Sequence, residues 1–342
     1  MSRKRLARAV VVVAALVGLA AIASQVPAQA VRAPVDPSSL ARGADIGIPY
    51  VRHHVIHDGD VRVEVPRRHY TDLWATARGY LLEDAARRLV HISHGGDVRR
   101  LARHVHTVAV SADGRRVAWG TYEDPDFGPP VHITVADPDH RHVVARRTFH
   151  RVLYVGAVTQ GRALLATSWA APRAATWWWH LRGDRLSRLV GQASLGADVR
   201  HDRAVFSVGD PDAFCNRVAP LSHPRRTLWH SCRSIVKAWS PNGRRAIATR
   251  TYFDDTGTDF WAVVNGTTGR RVARVTGRLD WNAAWEDNRH FLTSAMGEDG
   301  MAAVVRCNVH GRCERATRLW DTGWTGWPPY YVAPPVLLAH DR

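Results

Sequence analysis

The chain has 342 residues, of which 47 are Lys or Arg and 31 are Asp or Glu, for a formal net charge of +16 at pH 7. A basic excess of that size ordinarily points to a polyanion. Here Lys4 and Lys237 are the only lysines, Arg, Ala, Gly, Val and Trp abound throughout, and the arginines are scattered; this is the pattern of codon bias, and it argues against a nucleic-acid partner.

Residues 1–30 read as a secretory signal, with a basic start (Arg3, Lys4, Arg5, Arg8), an apolar run from Ala9 to Ala23, and Ala28-Gln29-Ala30 as the small-residue cleavage site. The mature chain then begins near Val31, with residues 31–46 expected as a flexible linker and 47–342 as a single domain. The apolar run is shorter than the ~20 residues that span a bilayer, and no run of that length follows, so a folded membrane domain is excluded. Retention of the signal as an N-terminal anchor stays open. The expected location is secreted or otherwise extracytoplasmic, at the cell envelope if the signal is retained.

From residue 47 to 332, short alternating or wholly apolar runs are separated by Gly, Asp, Asn and Pro turns, without a long amphipathic helix. This is an all-β pattern. Ile48 to Pro66 reads as a hairpin around Asp58-Gly59. The clearest unit is Val108-Ala-Val-Ser-Ala-Asp113-Gly114-Arg-Arg-Val-Ala-Trp119, echoed by Ala238-Trp-Ser-Pro-Asn242-Gly243-Arg-Arg-Ala-Ile-Ala248. Asp-Gly and Asn-Gly adopt the positive φ of a tight hairpin, so each reads as strand, turn, strand. Comparable turns fall at Gly79, Gly161, Asp202 and Asn288, and a period of roughly 40–45 residues with four strands per unit predicts a β-propeller. Around Gly114 the predicted strands are His106 to Val110, Arg116 to Tyr122, Val131 to Ala136 and Val143 to Phe149. Six units cover about residues 70–320. The N-terminal hairpin and a tail strand at Tyr330-Tyr331-Val332 would join as a seventh blade that closes the ring; six blades with an N-terminal strap is the alternative.

The Ser-Ala-Asp-Gly-Arg-Arg-Val-Ala and Ser-Pro-Asn-Gly-Arg-Arg-Ala-Ile-Ala stretches resemble the repeat of TolB-like (PD40, WD40-like) propellers. Only two units match closely, and the sequence has a single Trp320-Asp321 in place of the regular marks of true WD40 repeats. The resemblance implies a bacterial scaffold that mediates protein contacts, and it transfers no catalytic residue.

The four cysteines all follow the signal region, and an even count in an exported chain points to disulfides. Cys215 with Cys232 and Cys307 with Cys313 each bracket a turn, so these pairs are expected across adjacent antiparallel strands.

The loops between the second and third strands of each unit gather on one face. They carry Glu83-Asp84, Glu123, Asp124 and Asp126, Asp210 and Asp212, Asp254, Asp255 and Asp259, and Glu298 and Asp299. Such residues also make ordinary solvated turns; as a ligand-binding face they would set up a negative field in a basic protein. Asp254, Asp255 and Asp259 are the candidate ligands of a structural Ca²⁺, and no other cofactor is assigned. His53, His54 and His57, His104 with His106, and His140 with His142 lie at strand spacing, but no acidic or cysteine partner sits at a metal-ligand distance in sequence. Trp177-Trp178-Trp179 is expected to bury its outer pair or its middle ring, not all three. The expected function is that of an exported, non-catalytic, monomeric binding or scaffold protein, engaging a protein, peptide or cell-envelope component through the acid-lined face. A secreted hydrolase or lyase acting on polysaccharide is the alternative, and it requires two positioned carboxylates near the axis.

Overall fold

The computed structural model describes residues 34–123, 129–139, 141–151, 153–209, 215–251, 257–323 and 335–340. Strands dominate them. Strands β1 (Tyr50–Arg52), β2 (Val55–Asp58) and β3 (Val61–Glu64) form an antiparallel sheet whose fourth member, β28 (Val336–Leu338), comes from the other end of the chain. Three consecutive runs make further four-stranded sheets: β4 (Tyr70–Thr76), β5 (Gly79–Asp84), β6 (Leu89–Ser93) and β7 (Val98–Ala102); β8 (Val105–Val110), β9 (Val117–Tyr122), β10 (Val131–Ala136) and β11 (Val143–Phe149); β12 (Tyr154–Val158), β13 (Arg162–Ala166), β14 (Thr176–His180) and β15 (Arg185–Val190). A fourth run comprises β16 (Ser194–Asp198), β17 (Arg203–Val208), β18 (Cys215–Ala219) and β19 (Trp229–Ser231). The last sheet is eight-stranded: β20 (Ser234–Trp239), β21 (Arg245–Arg250), β22 (Thr258–Asn265), β23 (Arg271–Trp285), β24 (His290–Met296), β25 (Met301–Asn308), β26 (Cys313–Arg315) and β27 (Trp320–Asp321), the last paired with β25. The 15-residue β23 serves two four-stranded units, its first half pairing with β22 and its second half, from Arg278, with β24.

The strands predicted around Gly114 differ from β8 to β11 by no more than one residue at an end. The local chemistry explains this. In the Ser-Ala-Asp-Gly turn, Gly114 N–H donates to the Ser111 carbonyl at 2.7 Å, Ser111 Oγ bonds Asp113 at 2.6 Å, and Arg116 N–H donates to Ser111 Oγ at 2.8 Å. Ser240, Asn242, Gly243 and Arg245 repeat the same set at 2.7, 2.9 and 3.0 Å. Both glycines have positive φ, +68° and +67°. A Cβ at Gly114 would also come within 2.6 Å of the Ala77 nitrogen, in the turn of the preceding sheet. The tail differs from the expectation. Tyr330 to Val332 lies outside the described residues, and the strand that pairs with β1 is β28, with Tyr50 opposite Leu338 and Arg52 opposite Val336.

The middle strands of each sheet are apolar on both faces because each sheet is packed between two others. All six residues of β5 are buried, whereas β7 and β15 are largely exposed or half-buried and carry arginines. Apolar clusters fill the spaces between successive sheets, as where Ile133 and Phe149 meet Leu165 and Trp179. The last and first sheets share such a cluster too, Leu292 and Val304 with Val336 and Leu338. Double-sided burial also explains the tryptophan run. Trp178 packs toward the following sheet and Trp179 toward the preceding one, at 5% and 0% exposure, so both are buried and Trp177 is half-buried.

The described part of the expected linker is held down. Val35 N–H donates to Thr276 O, Gly43 N–H to Arg315 O, and Arg315 N–H to Ala41 O, at 2.7 to 2.9 Å. Ile46 enters the cluster between the last and first sheets.

Both expected disulfides form, Cys215–Cys232 and Cys307–Cys313, with sequence separations of 17 and 6. The second joins residues directly opposite on β25 and β26. Reduction of both is expected to destabilise the fold by about 5 kcal/mol, about 3 from the longer Cys215–Cys232 loop and about 2 from Cys307–Cys313. Denaturation midpoints with and without reductant check this, and a Cys307→Ala/Cys313→Ala variant should lose the smaller share.

Candidate functional site

The first strand of each unit faces a common cavity of about 760 Å³. Its wall takes residues from β4, β8, β12, β16, β20, the second half of β23, and the stretch following β28. A repeated irregularity aims side chains into it. On β20, Val236 pairs with Ala248 and Ala238 with Ile247, leaving Lys237 as the extra residue of a β-bulge. The same bulge leaves Gly156 extra on β12 and Leu195 on β16. On β23 the irregularity spans Asp280 to Asn282. A bulge bends its strand and re-aims the extra side chain; Gly156, Leu195, Lys237 and Trp281 all line the cavity.

Two chemistries meet there. The Lys237 ammonium lies 5.6 Å from the Trp281 ring centre, and the ring of Trp74 stacks on His340 at 5.0 Å. Lys237 retains accessible surface within the cavity, yet protein encloses it on most sides, and this desolvation lowers the amine's pKa. Elsewhere in the lining, Asp198 Oδ2 lies 2.6 Å from His201 Nδ1. Asp113 accepts from Ser111, from Gln160 at 2.8 Å and from Arg115 N–H at 3.1 Å, and these bonds, Ser111's first, hold its carboxyl below the ordinary range.

Beside the cavity, Asp72 and Glu83 are cross-strand neighbours on β4 and β5. His340 Nε2 lies 2.7 Å from Asp72 Oδ1. Burial works to raise the Asp72 pKa, but the hydrogen bond and charge of His340, together with the Thr71 hydrogen bond and the Arg87 charge, outweigh it, and the carboxyl stays below its usual value. Glu83 goes the other way, pushed up to about 7 by burial first and by the Asp72 charge second, against the pull of Arg87 at 3.3 Å.

The carboxylates read as a binding face fall out differently from one another. Glu83 and Asp84 are buried, at 4% and 2% exposure, and Asp84 is held by Arg88 at 2.7 Å and Arg68 at 3.3 Å. Glu123 is exposed, 3.9 Å from His132. Asp259 pairs with Arg250 at 2.6 Å and faces Arg274 at 3.9 Å. Asp299 accepts from Ser38 Oγ at 2.6 Å and from Met301 N–H at 3.0 Å, and Glu298 beside it is exposed. Asp124, Asp126, Asp210, Asp212, Asp254 and Asp255 lie outside the described residues. Among the described residues no group of three or more His, Cys, Asp or Glu is placed to hold a metal ion. Of the cavity lining, the sequence signalled the two turns Ser111-Ala112-Asp113 and Ser240-Pro241 and that Lys237 is one of two lysines. The bulge that aims it and the partnership of Asp72 with His340 need the folded sheets.

No protein-family model and no curated protein matches the sequence. Solved structures do. A WD40-like chain in the crystal structure of a mitotic checkpoint complex is 12% identical with a TM-score of 0.52, over 93% of this chain and 90% of that one. An oligogalacturonate lyase in complex with manganese is 9% identical with a TM-score of 0.52, over 73% and 81%. The architecture is that of a β-propeller. An uncharacterized protein of Listeria monocytogenes EGD-e is similar at 11% identity and a TM-score of 0.50, over 75% of this chain and 85% of that one. At these identities the likeness reaches the propeller scaffold and no activity. No helix among the described residues is long and apolar enough to cross a membrane, and the two disulfides fit an extracytoplasmic setting.

Proposed function

We propose that the chain is an exported, non-catalytic binding propeller of the TolB-like (PD40) type, with seven blades and a ring closed by β28 on β1. Its ligand is a peptide or cell-envelope component, taken at the axis instead of on the acid-lined loops. The two matching Ser-x-x-Gly turns support the repeat type, and the apolar cluster shared by the last and first sheets supports closure. The observation that carries the binding reading is the state of the axial carboxylates. Asp113 and Asp198 both line the cavity and both are hydrogen-bonded by neighbouring side chains, and the Ser111 bond first among its partners holds the Asp113 carboxyl below its ordinary value, where a general acid would need it raised. Of the carboxylates expected on the loop face, Asp259 and Asp84 are likewise engaged by arginines. Removal of the signal and a monomeric state complete the proposal.

One observation favours the polysaccharide-acting alternative. Asp72 and Glu83 are adjacent carboxyl groups whose pKa values are driven apart, the pattern of an acid and its ionised partner.

A single experiment separates the readings. Residues 31–342 are titrated calorimetrically with soluble peptidoglycan fragments and with anionic polysaccharides, and the products are analysed for chain cleavage. Binding without cleavage, weakened in Trp281→Ala, is the expected result. Cleavage that disappears in Glu83→Gln overturns it.

Glu83→Gln also has a stability signature. A carboxyl whose folded pKa lies above its ordinary 4.5 retains its proton longer when folded, so stability is fullest below 4.5 and falls as pH rises to about 7. The variant is expected to lose this component, and melting temperatures of the two proteins across that window should diverge with rising pH in the variant's favour.

A further inference from the structure

Resting on the reading that the axis binds ligand, the geometry points to a ligand class: we propose that the axial cavity receives a carboxylate carried on a flat apolar body, with Lys237 meeting the carboxylate and indole rings flanking the body.

The repeat itself shows why Lys237 matters. Equivalent bulges on neighbouring first strands present Gly156, with no side chain, Leu195, which is apolar, and then Lys237, so successive units line the cavity with space, a hydrocarbon wall and a charge. In a chain that otherwise uses arginine for nearly all its basic positions, the one lysine beyond the signal region stands at this bulge. A lysine ammonium is a compact point charge on a flexible stem, whereas a guanidinium is a broad planar fork that would fill more of the cavity. Trp281 provides a ring face beside the amine, and Trp74, backed by its stack on His340, provides another in the same cavity. Ring faces of this kind take a flat partner by offset stacking.

The wall carries the carboxylates Asp113 and Asp198 and the cations Lys237 and Arg200, and each carboxylate is already hydrogen-bonded by its own neighbours, Asp113 by Ser111, Gln160 and the Arg115 N–H, and Asp198 by His201. Arg200 is a second cation in the lining, and it also donates to the Ala112 carbonyl at 3.1 Å. The dimensions favour a small molecule, because a cavity of about 760 Å³ lies within the range that encloses drug-sized ligands. A carboxylate bonded to an ammonium inside such a cavity makes a charge-assisted hydrogen bond, about twice as strong as a neutral one.

The test uses residues 31–342 and two probes of equal shape, 1-naphthoate and the uncharged 1-naphthamide, followed by quenching of tryptophan fluorescence. A third measurement uses the single lysine beyond residue 30: the rate of its acetylation by an N-hydroxysuccinimide ester, read by mass spectrometry. The acid is expected to bind at least about tenfold tighter than the amide, in line with a charged hydrogen bond. Lys237→Met should remove that preference and leave amide binding and melting temperature unchanged, and naphthoate should slow acetylation of Lys237. Equal binding of acid and amide, indifferent to Lys237→Met, overturns the inference while leaving the axis as a ligand site. Absence of binding by both probes, with no protection of Lys237, overturns the inference and also the view that the cavity admits ligands.

Discussion

Replacing Arg306 by methionine is expected to destabilise the fold by about 3–5 kcal/mol, the cost of stranding a buried charge. Arg306 on β25 is 9% exposed at its side chain and lies at a junction of several segments. It pairs with Glu286 in the turn before β24, with the second contact at 2.7 Å, and with Glu314 on β26 at 2.9 Å. It also donates to the carbonyls of Ala44 and Asp45 at 2.9 and 2.6 Å, tying the N-terminal segment to the last sheet. Glu286, itself 10% exposed at its side chain, retains Gly47 N–H at 2.6 Å but loses its counter-charge in the variant. Urea denaturation measures the loss. Arg306→Met combined with Glu286→Gln should recover part of it, because the double variant buries no unpaired ion. A double variant less stable than the single would mean that the hydrogen-bonding geometry, and not the charge, is what Arg306 contributes.

Ending the chain at Pro335, which removes β28, is expected to cost about 3–6 kcal/mol from the burial of Val336 and Leu338 alone, at about 1.5–3 kcal/mol for each side chain. Val336 is 1% and Leu338 6% exposed. The truncation also removes the backbone bonds of Ala339 to Pro49 and of His340 to Leu73, at 2.9 and 2.8 Å. It leaves β1 as an open edge, which invites association between copies. The expected readout is a lower, broader thermal transition accompanied by concentration-dependent aggregation. A truncated protein with an unchanged, sharp transition would mean that β28 does not close a ring.

The strand pattern was legible because it is local. Ser-Ala-Asp-Gly and Ser-Pro-Asn-Gly each form the same set of hydrogen bonds within six residues, so turn positions and the strands beside them could be read without tertiary information. The disulfides were legible for a related reason: each pair brackets one turn, and each closes within a sheet. The acid-lined face was legible only as positions. Asp84 and Asp259, expected in loops, are strand residues of β5 and β22, and the arginines that pair with them come from neighbouring strands and turns that composition does not locate. The tryptophan run misled for the opposite reason, since strict alternation presumes one wet face and β14 has none.

The amino-acid order by itself determined the all-β class, the roughly 40–45-residue repeat and the cysteine pairing, because each depends on bonds between residues close in the chain. The tertiary structure alone decided where the cavity lies, that Lys237 and Trp281 stand side by side in it, and that Asp72 meets His340 from the far end of the chain. The physical reason is that a one-residue bulge reverses which way a strand side chain points, and no local preference records a bulge whose partners are set by the packing of whole sheets.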